Sequence, residues 1–211
     1  MTERYTPPAL DVKFKAAIAA GGDISEHLEL LRELASRCDH VTEFGLRGAN
    51  GSTVAFLAAQ PETFISWDVN PWAVVQQPVA ELISMAGRTK FEPRVGDTRK
   101  INIEPTDLLF IDTYHTGEQL LAELKRHASP PENKVCKYLV FHDTATFGMK
   151  GEDGKEPGLR AAIRFFQKCY ALPLWGLKYD LSNCNGLVVL ERADVEPTPG
   201  INPDPGRGRF T

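Results

Sequence analysis

The chain has 211 residues, 42% of them hydrophobic and 25% charged, enough for a single α/β domain with a sizeable core. Its 28 acidic against 24 basic side chains leave a formal charge of −4, and no basic run occurs, so the electrostatic footprint of a nucleic-acid or anionic-membrane binder is missing. The opening MTERYTPPAL lacks the apolar stretch of a signal peptide and no run reaches membrane-spanning length, so a cytoplasmic protein with small-molecule partners is expected.

Residues 1–40 read as helices packed on the domain that follows. Leu10 to Ala20 is helical material ended by Gly21-Gly22. Asp23 to Glu26 then has capping-box spacing ahead of Leu28, Leu30, Leu31 and Leu34, an apolar stripe of helical period.

Val41 to Leu57, VTEFGLRGANGSTVAFL, reads as a buried strand, a glycine-rich turn and a helix start. Glycines at positions 45, 48 and 51 let the backbone turn sharply and approach a ligand, and Ser52 and Thr53 fall at a helix N-terminus that attracts an anionic group. The dinucleotide fingerprint is Gly-x-Gly-x-x-Gly, whereas these glycines recur at every third position and Glu43 stands just before the turn. That carboxylate would repel a pyrophosphate and suit a ligand with a positive centre. S-adenosylmethionine carries a sulfonium, an ammonium and a carboxylate, which suits a turn offering both an acid and a helix N-terminus. A tight βα turn without a ligand is the alternative.

Thr63 to Asp68 is a second apolar run, and Asp68 lies where a strand-end acid holds ribose hydroxyls in nucleotide-binding α/β folds. Asn70-Pro71 supplies the cap and first-turn proline of the next helix, which is interrupted by Pro78 and ends near Gly87. A third strand, Phe91 to Val95, runs into Gly96-Asp97-Thr98. Asp107 to Asp112 and Tyr138 to Asp143 are short apolar runs separated by a helix, Glu118 to His127, the pattern of a parallel sheet covered on both faces. Glu43, Asp68, Asp97, Asp112, His142 and Asp143 then collect at the carboxyl ends of the strands, where open α/β sheets bind ligands.

After a helix from Gly158 to Tyr170, Trp175 to Asp180 and Gly186 to Glu191 are joined by a short link with an Asn185-Gly186 pair, and they should form an antiparallel hairpin. The domain thus spans residues 41–192, and the Pro/Gly-rich residues 193–211 read as an extended tail, disordered or wrapped on a neighbour in a homo-oligomer. Cys38, Cys136, Cys169 and Cys184 lack CxxC spacing, which argues against a zinc or disulfide framework.

The turn EFGLRGANGST, the Asp68 strand end, the GDT of Gly96 to Thr98, FIDTYHTGEQLLAEL (Phe110 to Leu124) and YLVFHDT (Tyr138 to Thr144) resemble S-adenosylmethionine-dependent methyltransferases related to rhamnosyl O-methyltransferase and the cephalosporin hydroxylase family. The resemblance implies a Rossmann-like class I methyltransferase fold, with a mostly parallel seven-stranded sheet, helices on both faces and a C-terminal antiparallel hairpin. It implies O-methylation of a sugar, phenol or natural-product hydroxyl. Cofactor contacts would come from Glu43, Gly45, Arg47, Gly51, Ser52, Asp68, Asp97, Thr98 and Asp112, and the catalytic group from His115, Asp112 and Asp143. In that family the fifth strand ends in an acidic pair, and here His142 takes its first place. A divalent metal (Mg, Mn or Fe) held by Asp112, His142 and Asp143 is expected, unless His142 turns away, as adjacent strand residues do. His115 can act in proton transfer, in orienting the acceptor, or as a structural group. The rival functions are another α/β enzyme, an oxidoreductase or hydroxylase, or a non-catalytic binding module on the same fold.

Overall fold

The computed structural model describes residues 4–130, 133–171 and 174–193; the expected tail lies outside them. In chain order the elements are α1 (Pro8–Ala20), α2 (Leu28–Ala35), β1 (His40–Phe44), α3 (Ser52–Ala58), β2 (Thr63–Asp68), α4 (Pro71–Val75), α5 (Gln77–Met85) and β3 (Lys90–Val95). They continue with β4 (Thr106–Ile111), α6 (Gly117–His127), β5 (Val135–His142), α7 (Leu159–Phe166), β6 (Trp175–Leu181) and β7 (Leu187–Arg192). Seven strands form one sheet in the order β3-β2-β1-β4-β5-β7-β6. The first five are parallel, and β7 pairs antiparallel with both β5 and β6. No helix of the described residues is long and apolar enough to cross a membrane.

The apolar runs are long because the central strands are buried on both faces. Along β4, Leu108 and Phe110 join the core under α1, α2, α3 and α5, while Leu109 and Ile111 join the core under α6 and α7. The same alternation runs along β5, with Tyr138 and Val140 on the first side and Leu139 and Phe141 on the second. Phe56 bridges the first core, meeting Phe64 and Phe110 edge to face at 5.6 and 5.4 Å between ring centroids.

One local expectation is corrected and two are refined. Asp23 to Glu26 does not form a capping box: Ser25–His27 winds as a 3-10 turn, and the Asp23 side chain reaches Arg47 instead. The helical stretch after Asn70 breaks at Gln76, two residues before Pro78, because a continuous helix would need the N–H that proline lacks. The helix beginning after Gly158 leaves α geometry at Phe166 and finishes as a π turn, Gln167–Ala171.

From β1 the strand order runs outward to β2 and β3 on one side and from β4 to β5 on the other, so the chain departs to opposite sides at the β1–β4 boundary and leaves a crevice above the carboxyl ends. Ile111 of β4 sits opposite Phe141 of β5, so the next residues out, Asp112 and His142, are brought side by side at the crevice floor.

Candidate functional site

The turn after β1 is shaped by its neighbours. The Asp112 N–H donates to the Phe44 carbonyl and the Gly45 N–H to the Trp67 carbonyl, drawing the ends of β4, β1 and β2 together. Gly45 has φ +100°, and a Cβ there would stand 2.0 Å from the Asp112 carbonyl oxygen. The glycine is therefore required by β4 backbone, before any ligand is considered.

Glu43 lies below this turn, fully buried, on the side of the sheet facing α3. Its carboxylate accepts from Ser52 Oγ at 2.6 Å, Thr53 Oγ1 at 2.9 Å and Ser66 Oγ at 2.6 Å. Burial pushes the carboxyl up to about 7, against the pull of these three hydroxyls. Glu43, Ser52 and Gly51 form the foundation of the turn and do not line the crevice. The repulsion that Glu43 was expected to exert on a pyrophosphate is accordingly muted by its hydroxyl partners.

The crevice itself is a cavity of about 400 Å³, within the range of small-ligand sites. It is lined by Gly45, Arg47, Asp68, Asp97, Thr98 and Asp112, six of the nine residues expected to meet a cofactor, and it reaches His115 and Glu152. Asp68 accepts the N–H groups of Arg47 at 3.0 Å and Asn70 at 2.8 Å, which fixes the carboxylate at the rim. Asp97 is gripped by the Arg99 guanidinium and backbone N–H, which hold it well below the usual carboxylate range. Thr98 donates to Glu123, a fully buried carboxyl that also accepts from Thr113 and Gln119 and is pushed up by burial to about 7.

At the inner end Asp112, His115, His142 and Asp143 converge, each at most 8% exposed. His115 Nε2 lies 2.8 Å from Asp143 Oδ2 and 3.2 Å from Asp112 Oδ1, and its Nδ1 lies 2.9 Å from Glu152 Oε2. His142 directs Nε2 at the carbonyls of Asp23 and Cys184, at 2.9 and 3.1 Å, and Nδ1 toward the two aspartates at 3.6 Å from each. Asp143 takes φ +58°, a conformation rare for a side-chain-bearing residue, which swings its carboxylate in beside Asp112. Burial disfavours both imidazolium forms, but the facing carboxylates outweigh it and push each up to about 10. The same pairing holds both aspartates below their usual range, Asp143 strongly so.

The donor set fits a divalent cation. Single ligand atoms of Asp112, His115 and Asp143 all lie within 4.8 Å of one another. Asp143 Oδ1 and His142 Nδ1 are buried and have no hydrogen-bond partner among the described residues, the signature of a polar site shaped for something further. Of the expected metal group Asp112, His142 and Asp143, the two aspartates are brought together, but the third member of the close group is His115, and His142 Nδ1 stands farther off at 3.6 Å from each carboxylate.

Two site residues escape sequence reading. Glu123 sits one helical turn after Gln119, inside the segment Phe110 to Leu124 that carries the family resemblance, but it was given no role there, although the i, i+4 pair is a legible signal. Glu152 belongs to the glycine-rich connection after β5, 37 residues from the histidine it holds, and no local pattern marks it.

No protein-family model matches the chain, and no curated protein matches it in sequence. Solved structures do. The O-methyltransferase from Bacillus cereus in complex with S-adenosylhomocysteine (SAH) is similar over 90% of this chain and 93% of its own, with a TM-score of 0.57 and 15% identity. SAH-bound methyltransferase PaMTH1 from Podospora anserina is similar over 92% and 91%, with a TM-score of 0.57 and 14% identity. The N-terminal domain of EvdMO1, solved with SAH and D-fucose, is similar over 82% and 84%, with a TM-score of 0.52 and 12% identity. At these identities the likeness is one of architecture: the chain has the fold of the class I S-adenosylmethionine-dependent methyltransferases, the group its motifs resemble.

Proposed function

We propose that the protein is an S-adenosylmethionine-dependent O-methyltransferase acting on a small-molecule hydroxyl, assisted by a divalent metal at the Asp112, His115 and Asp143 cluster. The observation that carries this reading is the continuity of the crevice: one cavity runs from the Asp68 rim past Gly45 to Asp112 and His115. A nucleoside held at Asp68 therefore has its far end directed at the buried cluster.

The charge of the cavity favours a cationic methyl donor over a dinucleotide. Asp68, Asp97, Asp112 and Glu152 line it, against Arg47 and Arg99, and Arg99 is committed to Asp97. A sulfonium is stabilised in such surroundings and a pyrophosphate is not. Asp68 would accept from ribose hydroxyls. Gly96, Asp97 and Thr98 would flank the base, with Glu123 fixing the Thr98 hydroxyl from behind.

Bound there, a divalent ion would supply the positive charge that lowers the pKa of an acceptor hydroxyl. Asp112 and Asp143 would hold that ion, and Glu152 keeps the His115 ring in place. Tyr114 and Val69, at the cavity mouth, offer apolar surface to the body of the acceptor. Sugar, phenol and natural-product hydroxyls all suit this opening, and D-fucose accompanies SAH in the EvdMO1 structure. Transfer forms the oxygen–carbon bond as the carbon–sulfur bond breaks, the hydroxyl proton passes to water at the open mouth, and SAH departs. Most of the acceleration then comes from holding the two partners in line.

Calorimetric titration tests the reading. Adenosylmethionine and SAH should bind and nicotinamide dinucleotides should not, and Asp68→Ala, which removes charged hydrogen bonds, should weaken SAH by about 10- to 100-fold. Preference for a nicotinamide dinucleotide over SAH would overturn it.

A further inference from the structure

A fully buried carboxyl on α6, Glu123, stands behind the crevice wall. Its partners are neutral donors. Thr98 Oγ1 at 2.5 Å, Gln119 Nε2 at 2.7 Å and Thr113 Oγ1 at 3.0 Å all donate to Oε1, and Thr113 also reaches Oε2 at 3.1 Å. Burying a carboxyl without a cation is costly, and an apolar side chain would fill that position on α6 at lower cost. The three residues that Glu123 holds all line the crevice, so the effect of the carboxyl is felt there.

An ionised carboxylate only accepts, so the Gln119 amide must turn its Nε2 toward Glu123, and the same nitrogen lies 3.3 Å from Thr98 Oγ1. Both amide hydrogens are thereby engaged. The planar amide then directs Oε1 the other way, and that oxygen has no partner among the described residues. The hydroxyl hydrogens of Thr98 and Thr113 are engaged by the same carboxylate, and Asp97 beside them is a carboxylate gripped by Arg99. Asp97, Thr98, Thr113 and Gln119 therefore offer a crevice occupant acceptors and no side-chain hydrogen.

We propose that Glu123 is a positioning residue and Gln119 the residue it positions, a fixed acceptor in the crevice wall that takes a hydrogen from the 6-amino group of an adenine base and rejects a 6-oxo purine. This inference rests on the reading of the crevice as an S-adenosylmethionine site made above, and adds the base-selecting side chain and the group that holds it. Adenine presents a donor at its 6-amino nitrogen, whereas hypoxanthine presents an acceptor at the same place. Against Gln119 Oε1 the first forms a hydrogen bond and the second sets two lone pairs face to face. Without Glu123 the amide is free to reverse and serve either base, because its oxygen and nitrogen differ little in size. Holding the amide is what makes a tolerant glutamine selective.

The test is calorimetry on the full chain at about pH 8.5, where the Glu123 carboxyl, pushed up to about 7, is ionised. The ligands are SAH, its 6-oxo analogue S-inosylhomocysteine, adenosine and inosine. SAH should bind at least about 10-fold more tightly than the 6-oxo analogue. Gln119→Met, which keeps the side-chain length and removes Oε1, should cut that ratio to about 3 or less. Glu123→Gln should cut it as far by strengthening the 6-oxo analogue, since a reversed amide offers that base a hydrogen. Glu123→Asp, which keeps the charge and draws it back from Gln119, should lower the ratio too and serves where Glu123→Gln does not fold. Adding either change to Gln119→Met should have no further effect on the ratio. Partial unfolding weakens both ligands together, so the ratio reads positioning and not stability. Equal binding of the two analogues by the wild type, or a ratio unaltered in Gln119→Met or in both Glu123 variants, overturns the inference. The nucleosides separate the two readings: adenosine preferred over inosine by the wild type and not by Gln119→Met, without SAH binding, would sink the methyltransferase and leave the base-selecting wall standing.

Discussion

Two buried carboxylate sites lie on neighbouring strands of this protein, at the ends of β1 and of β4 and β5, and are built in opposite ways. Glu43 is saturated: three hydroxyls converge on it, from the turn helix α3 and from β2, and nothing is left over for a ligand. Asp112 and Asp143 are under-supplied, since their partners are imidazoles, one of which stays at 3.6 Å, and Asp143 Oδ1 has no partner among the described residues. A satisfied buried acid holds a fold together, whereas an unsatisfied one is shaped for a guest. The difference teaches that proximity to the strand ends does not by itself make an acid functional; the supply of donors decides.

The sharpest way to break the contrast is to delete the saturated acid. Glu43→Ala leaves the hydroxyls of Ser52, Thr53 and Ser66 buried without their acceptor and opens a void, so unfolding free energy should fall by about 3 kcal/mol. Urea unfolding measures it. Cofactor affinity of the folded fraction should hardly move, and a selective loss of binding with full stability would reverse the assignment of roles.

Asp143→Asn addresses the other half. Its carboxylate is a proposed metal ligand, so Co²⁺ affinity should drop by about 100-fold or more, and the metal-free protein should also lose stability, because the buried His115 imidazole loses one of its carboxylate partners. Unaltered Co²⁺ binding in this variant would show that the ion sits elsewhere or nowhere.

A third measurement uses pH. The Glu43 carboxyl titrates near 7 in the folded protein and close to 4.5 when unfolded, so between these values the native state binds more protons than the unfolded chain. Stability from its neutral form is fully present below about pH 4.5 and is lost as pH rises through 7. Glu123, raised to about 7 as well, contributes in the same direction. Over that interval the metal-free wild type should lose about 1–3 kcal/mol. Glu43→Gln should flatten the slope, and an identical slope would mean that Glu43 is ionised throughout.

The centre of the sheet was legible because two-sided burial writes itself as apolar runs along β4 and β5, whereas the edge strands β3 (KFEPRV) and β6 (WGLKYDL) are mostly half-exposed and carry no such run. The crevice was legible from the strand ends: Asp68, Asp97, Asp112, His142 and Asp143 all reach it or its inner wall. Glu43 misled because the strand pleat, not the turn, sets its direction, and position 43 shares the side of Val41 that faces α3. The Asp23 to Glu26 spacing misled because a capping box is a local pattern, and here a long-range pair with Arg47 won the Asp23 side chain. Glu152 could not be found at all. Its partnership with His115 depends on how the connection after β5 folds back, with the Glu152 N–H donating to the His115 carbonyl.

The smallest expected effect separates backbone from side chain at the same residue. Asp23 holds His142 through its carbonyl oxygen, while its carboxylate makes an ion pair with Arg47 at 3.5 Å. Both side chains of that pair are about half exposed, 54% and 44%, and a pair in such contact with water contributes little. Asp23→Asn should therefore change stability by less than about 0.5 kcal/mol. Because the carbonyl is untouched, the His142 ring should keep its hydrogen on Nε2, which long-range nitrogen–proton correlation spectra of the imidazole report directly. A loss of metal affinity in Asp23→Asn as large as that in Asp143→Asn would mean that the aspartate side chain, and not the carbonyl behind His142, belongs to the site.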